Sequence, residues 1–186
     1  MRSDSDSIRD ELLLMRCQRG DREALRELIR RWEGRLFYFI RQIVGQEADA
    51  WDVLQETWIC ALRGLKNIRD RGALAPWLYR TARNHAYSFL RKRRAYTDRF
   101  RDLPDEVEDE DGDWEASLEE AERVHYSLGR IPLPLREVLT LHYLEDLSLA
   151  RIAEVAGVPL GTVKSRLHYA KRALRKELEK EDRDGA

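Results

Sequence analysis

Residues 148–178 read SLARIAEVAGVPLGTVKSRLHYAKRALRKEL, and this stretch decides the fold. Ser148 stands where a side-chain oxygen caps a short helix, LARIAEVA, whose Leu149, Ile152 and Ala153 recur at helical spacing. Gly157 follows, where a tight turn needs a residue that tolerates a left-handed backbone. After Val158 and Pro159 a second helix begins. Helix, short glycine turn, helix is the pattern of a DNA-binding helix-turn-helix. At ~100° per residue, Val163, Leu167, Ala170, Leu174 and Leu178 share one sector of about 80° and must pack. The opposite sector holds Gly161, Lys164, Ser165, His168, Tyr169 and Arg172. Outward residues near the start of such a helix read base edges, which selects Lys164, Ser165 and His168 with Tyr169 beside them. Gly161 and Thr162 bring backbone amides to the helix start, where a phosphate binds, and Arg166, Lys171 and Arg172 are candidate phosphate contacts. A trihelical bundle used for protein contacts is the alternative reading of the same stretch.

Upstream, LPLREVLTLHYLEDL follows a break at Pro132 and Pro134, and WEASLEEAERVHYSLGRI precedes it as a further helix. The N-terminal half carries four helical stretches. One spans about Ile8 to Arg19 and ends at Gly20; Asp21 caps a second that stops at Gly45, with Leu25, Leu28, Ile29, Trp32, Leu36, Phe39, Ile40 and Ile43 on its apolar face. A third, about Glu47 to Leu65, has Trp51, Leu54, Trp58, Ile59 and Leu62 on one side and Asp49, Asp52, Gln55 and Glu56 on the other. The fourth starts near Ala73, with Pro76 tolerated in its first turn and Leu74, Trp77, Leu78, Thr81, His85 and Phe89 expected to be buried. Across from these, Arg80, Arg83, Asn84, Tyr87 and Arg91 form a basic stripe containing an amide and a ring, continued by Lys92, Arg93 and Arg94. Such a stripe suits a nucleic-acid strand, and equally a solvated face of snorkelling cations.

Composition narrows the class. The 26 Leu and 17 Ala outnumber the 8 Val, 8 Ile and 5 Thr, which favours helix over sheet. The longest run without a charged residue, Val155 to Val163, is nine residues against the ~20 apolar residues of a membrane span, so no membrane insertion is expected. The acidic, polar start MRSDSDSIRDE is unlike a signal peptide, and the cytoplasm is the expected location. Cys17 and Cys60 have no C-x-x-C or histidine pair near them, so no metal is expected, and buried or neutral thiols are. A net charge of −1 conceals strong segregation. Residues 98–122 hold 13 acidic and 2 basic side chains, while 1–97 carry +7 and 123–186 carry +3. Two basic bodies flanking an acidic connector fit a polyanion binder, or charged helices with solvated faces. The connector TDRFRDLPDEVEDEDGD, broken by Pro104 and Gly112, reads as a flexible linker.

Taken in order, QRGDREALRELIRRW, DVLQETWICAL, PWLYRTARNHAYSFLRKRR and LPLREVLTLHYLEDLSLARIAEVAGVPLGTVKSRLHYAKRALR resemble the two conserved parts of an extracytoplasmic-function sigma factor. The resemblance implies an all-α chain: a four-helix region-two domain over 1–95, an acidic linker over 96–114 and a helix-turn-helix region-four domain over 115–180. It implies a bacterial promoter-specificity subunit with core RNA polymerase and promoter DNA as partners, no cofactor and no small-molecule substrate. It leaves open whether an anti-sigma factor clamps the two bodies together. By the same resemblance, Asp49, Asp52, Gln55 and Glu56 would dock on polymerase. The loop Asn67, Ile68, Arg69 and Asp70 would capture a flipped base of the minus-10 element, with Arg80, Arg83, Asn84 and Tyr87 along the opening strand. Extruding a base costs a few kcal/mol of stacking, so a pocket with a basic strand channel is what that step requires. Gly161, Thr162, Lys164, Ser165, Arg166, His168, Tyr169 and Arg172 would read the minus-35 element as duplex. About twenty linker residues reach at most ~65–70 Å, enough to set two modules two turns of DNA apart at ~34 Å per turn. The linker is then either a strand lying in a basic polymerase channel or a passive tether.

Asp146, where the family often has glycine, and His142, in place of a common basic residue, depart from the family pattern. Rival functions fit less of the chain. His85, His125, His142 and His168 are scattered, with no phosphate loop, nucleophile elbow or metal spacing to organise an enzyme. A stand-alone regulator would leave the N-terminal body without a task. A decoy that sequesters an anti-sigma factor normally carries a fused receiver domain, for which the length has no room.

Overall fold

The computed structural model describes residues 4–99 and 119–184, and among these the chain is helical with no strand. Helices α1 (Asp4–Gln18), α2 (Arg22–Val44), α3 (Glu47–Gly64) and α4 (Leu74–Arg99) form an N-terminal body, with short 3-10 turns at Leu65–Asn67 and Arg71–Ala73 between α3 and α4. Helices α5 (Glu119–Arg130), α6 (Leu133–Leu139), α7 (Leu149–Ala156) and α8 (Leu160–Asp184) form a C-terminal body, and a π-helical turn, Thr140–Leu144, extends α6. This is the expected all-α architecture of two bodies. Helix α4 continues to Arg99, past the Tyr96 where the linker was expected to begin. The rest of the linker reading, and the start of the next helix at Trp114, fall outside the described residues.

Helix α2 starts where its cap requires. The Asp21 carboxylate accepts the amides of Glu23 and Ala24, and Arg16 Nε donates to its other oxygen at 2.8 Å. The Ala24 amide and the Arg16 guanidinium hold this carboxyl below the usual carboxylate range. At the far end Gly45 takes φ +89°, and its amide closes on the Arg41 carbonyl. Between the caps Leu28, Trp32, Leu36, Phe39 and Ile40 are fully buried. Tyr79 of α4 sets its ring edge-on to Trp32 and Phe39, at 5.8 and 5.2 Å between centroids, an arrangement that satisfies the ring quadrupoles.

Two apolar faces differ from the sequence expectation. Helix α3 buries Ala50, Val53, Leu54, Thr57, Trp58 and Ala61, whereas Trp51, Ile59 and Leu62 are 42%, 53% and 42% exposed. Helix α4 buries Leu74, Ala75, Leu78, Tyr79, Ala82 and Ala86, while Trp77, Thr81, His85 and Phe89 are only half-buried. The pattern is the same in both. Alanines and Thr57 share the buried sides of α3 and α4 with Val53, Leu54, Trp58, Leu74, Leu78 and Tyr79, and the remaining large side chains lie at the margin of the contact. Both cysteines are free thiols, Cys60 exposed on α3 and Cys17 half-buried on α1; burial raises the Cys17 thiol pKa.

Of the described glycines, Gly64, the last residue of α3, has the least room for a side chain. A Cβ built there would lie 2.5 and 2.8 Å from Cζ2 and Cη2 of Trp77. Gly64→Ala is therefore expected to lower unfolding free energy by about 1–3 kcal/mol through overpacking, measured by urea denaturation with Trp fluorescence. An unchanged midpoint would mean that Trp77 swings away freely.

Candidate nucleic-acid and polymerase interface

The helix-turn-helix forms as its sequence dictates. Ser148 Oγ accepts the Arg151 amide at 3.3 Å, and Gly157 adopts φ +65°, ψ 36° with its amide on the Ala153 carbonyl at 2.9 Å. Asp146 is left-handed too, at φ +55°, which accounts physically for glycine being common at this place; aspartate is among the few other residues that tolerate it. His142 Nδ1 lies 3.2 Å from the Leu147 carbonyl, so the ring ties the π-helical turn to the approach to α7.

On α8, Val163, Leu167 and Ala170 are buried and Leu174 and Leu178 half-buried, as the wheel requires. Gly161, Lys164, Ser165, His168, Tyr169 and Arg172 are all exposed along one side. Ser165 Oγ donates back to the Gly161 and Thr162 carbonyls at 2.9 and 3.2 Å, and His168 and Tyr169 sit edge to face at 5.6 Å. The Thr162 amide already donates to the Pro159 carbonyl at 2.9 Å, which narrows the candidate phosphate-binding amide to Gly161. Arg166 is half-buried at the boundary between faces.

The second set of predicted residues meets the C-terminal body. In the loop after α3, Asn67, Arg69 and Asp70 are exposed, but the Ile68 side chain packs into the core and its carbonyl accepts from Gln18 Nε2 at 2.8 Å. Asp70 Oδ1 accepts the Gly72 amide, and Asp70 Oδ2 takes Arg151 of α7 at 3.1 Å. On α4, Arg80 and Asn84 are exposed, while Arg83 stacks over the Tyr87 ring at 4.3 Å and donates through Nε to Glu137 of α6. Tyr87 Oη donates to the same carboxylate at 3.3 Å. The Glu137 side chain is fully buried. Burial pushes its carboxyl above the usual range, while Arg83, Tyr87 and the charge of Arg166 pull it back. Two further links join the bodies: Arg35 Nε donates to Glu145 at 2.9 Å, and Arg136 Nη1 to the Gln42 carbonyl at 2.8 Å.

The third set lies on α3. Asp52, Gln55 and Glu56 are exposed, Asp49 is half-buried and paired with Arg93 at 2.8 Å, and Glu56 is 3.5 Å from His85 Nδ1. The exposed Trp51, Ile59 and Leu62 are interleaved with these acids, giving a mixed acidic and apolar face of the kind proteins dock on. Sequence reading missed these three as part of the acidic face because it grouped them with Leu54 and Trp58 on the opposite side of the helix. It also missed an open apolar groove of about 480 Å³ on the C-terminal body, lined by Val124, Leu128, Leu139, Tyr143, Leu174 and Leu178 with Lys171 and Arg175 among its polar lining. Among the described residues no group of His, Cys, Asp and Glu could hold a metal ion, and no helix is long and apolar enough to cross a membrane.

Comparison with known proteins agrees with this layout. Residues 28–96 match the family model of sigma-70 region 2, and residues 121–174 that of sigma-70 region 4. The chain is 34% identical over 181 residues to the RNA polymerase sigma-H factor of Pseudomonas aeruginosa, covering 91% of this chain and 94% of that protein. It is 30% identical over 186 residues to the ECF RNA polymerase sigma-E factor of Escherichia coli, with coverage of 91% and 94%. Among solved structures it resembles the sigma factor RpoE of Bartonella quintana, crystallised with the anti-sigma factor NepR, at TM-score 0.73 and 22% identity over 83% of this chain and 96% of that one. CnrH, solved in complex with the cytosolic domain of CnrY, gives 0.68 and 23%, with coverage of 92% and 97%. The chain belongs to the extracytoplasmic-function family of RNA polymerase sigma factors. It is an alternative sigma factor, a transcription initiation factor that works with core RNA polymerase and promoter DNA.

The left-handed turn between α7 and α8 is open to test. No atom lies within 4 Å of a Cβ built on Gly157, so Gly157→Ala introduces backbone strain without a clash. A loss of about 1–2 kcal/mol in urea-unfolding free energy is expected; no loss would mean that the turn relaxes to another conformation.

Proposed function

We propose that the two bodies divide promoter recognition between them. In this reading α8 enters the major groove of the minus-35 element, with Lys164, Ser165, His168 and Tyr169 at base edges and the Gly161 amide, the Thr162 hydroxyl, Arg166 and Arg172 at the backbone. The loop Asn67, Ile68, Arg69 and Asp70, with Arg80, Arg83, Asn84 and Tyr87, takes the strand that opens at the minus-10 element; Ile68 serves from beneath by shaping the loop. The face of α3 with Asp49, Asp52, Gln55 and Glu56 docks on core polymerase, and Trp51, Ile59 and Leu62 add apolar area to it. The single observation that carries the reading is the exposure of all six outward residues of α8 on one side of a helix whose opposite side is packed. The protein acts in the cytoplasm, where polymerase works.

An anti-sigma factor is a further partner under this proposal. The two structural neighbours were each solved as a complex, one of them explicitly with an anti-sigma factor. The groove beside Tyr143 and Leu174 has the apolar lining that the apolar face of an amphipathic helix would cover.

Run-off transcription with bacterial core polymerase, on the fragment upstream of the protein's own gene, tests the proposal. A discrete start that appears only when the protein is added is the expected result. No transcript together with no binding to core polymerase would overturn it. Replacing Lys164 and Arg166 by Ala should reduce promoter use by about tenfold or more, since each lost base or phosphate contact is worth about 1–3 kcal/mol, while polymerase binding by pull-down stays unchanged. An equal fall in polymerase binding would refute the assignment of α8 to DNA.

A further inference from the structure

Asn67, Arg69 and Asp70 stand exposed on a turn that is held to the N-terminal body in two ways. The first is apolar: the side chains of Leu65 and Ile68 are buried in the core. The second comes from α1. Gln18, its last residue, donates Nε2 to the Ile68 carbonyl at 2.8 Å and to the Leu65 carbonyl at 3.1 Å, across 50 and 47 residues of chain. Of the two ends of a glutamine amide only the nitrogen can face two carbonyls, so the chemistry fixes which way it points. Gln18 is itself held by short-range contacts. Gly20 ends α1 at φ +87° with its amide on the Cys17 carbonyl at 2.9 Å, and the Asp21 amide returns to the Arg16 carbonyl at 3.1 Å. Arg16 also donates to the Asp21 carboxylate that caps α2, which makes the end of α1 and the start of α2 one braced corner.

We infer that Gln18 is a positioning residue for base capture: from α1 it fixes the backbone on both sides of Lys66 and Asn67, so the turn meets the opened strand already ordered. This rests on the assignment of Asn67, Ile68, Arg69 and Asp70 to the flipped base. The physical advantage is preorganisation. A turn that had to order itself around an extruded base would lose part of the binding free energy to that ordering, whereas two hydrogen bonds made beforehand remove the cost. The same bonds set selectivity, because a turn free to shift accommodates more than one base equally well. Gln18 touches no DNA in this scheme and acts only through the Leu65 and Ile68 carbonyls. Helix α1 lies wholly ahead of residues 28–96, which match sigma-70 region 2, so the strand site draws one of its parts from outside that match. What the position requires is a donor. A carboxylate there would set oxygen against two carbonyl oxygens, and an apolar side chain would leave both carbonyls without this partner.

The test uses the full chain reconstituted with bacterial core RNA polymerase. The probe is a pool of single-stranded DNA of about 16 nucleotides with randomised bases, and the bound strands are recovered and sequenced. The readout is the ratio of the most to the least favoured base at the most selective position, which a variant that is merely less stable would not change. The intact chain should favour one base strongly. Gln18→Met should lower that ratio by about five- to tenfold, the effect of losing two hydrogen bonds, while binding to core polymerase stays unchanged. Gln18→Lys, whose ammonium can donate to both carbonyls, should keep most of the preference, and Asn67→Ala should abolish it. Preference lost in Asn67→Ala but intact in Gln18→Met would overturn the inference and leave the assignment of the turn standing. No preference in the intact chain, or one indifferent to Asn67→Ala, would overturn the assignment of the turn and the inference with it. Should Gln18→Met fail to fold, Gln18→Lys and Gln18→Glu decide instead: the first should keep the preference and the second lose it, and equal preference in both would overturn the inference.

Discussion

Helices α1, α3, α4 and α6 all pack on α2, and the rest of the molecule follows from that constraint. Leu28, Trp32, Leu36, Phe39 and Ile40 lie within a stripe narrow enough to be covered entirely. Each such side chain contributes about 1.5–3 kcal/mol on burial, so the stripe dominates the stability of the N-terminal body. The same helix presents cations off the stripe. Arg31 reaches Asp6 and Asp10 of α1, and Arg35 reaches Glu145 in the C-terminal body. A helix that organises one body through its apolar side thus aligns the second through its charged margin.

Charged pairs cross between the bodies beside an apolar core that the two share. A buried ion pair is weak evidence of stability because desolvation offsets most of its attraction, yet removing one partner costs about 3–5 kcal/mol. Arg83 with Glu137 has this character: it penalises wrong alignments more than it strengthens the right one. Asp70 with Arg151 is exposed and contributes roughly 0–1 kcal/mol.

How legible each part was in the sequence depends on how large the contrast between faces is. Helix α2 and the first turns of α8 could be read residue by residue, because caps at Asp21, Ser148 and Gly157 mark their ends and bulky apolar residues recur against a charged background. Helices α3 and α4 could be placed but not rotated correctly. Both carry large apolar residues on more than one side, so bulk alone could not choose between the side with Leu54 and Trp58, which is buried, and that with Trp51, Ile59 and Leu62, which is not. Ile68 shows the same effect in a loop, lying among exposed polar neighbours in sequence yet turned into the core.

Periodicity, caps and a left-handed glycine are local properties, so the amino-acid sequence by itself determined the helices of both bodies, the helix-turn-helix and the outward set Lys164, Ser165, His168, Tyr169 and Arg172. The partners of Arg83, Tyr87, Asp70 and Arg35 lie more than 49 residues away along the chain, each on the other body. No periodicity links residues at that separation. Only the tertiary structure decided that Glu137, unremarked in the linear sequence, would sit between the two bodies, because burial of a carboxylate is set by what is packed around it and not by its neighbours in the chain.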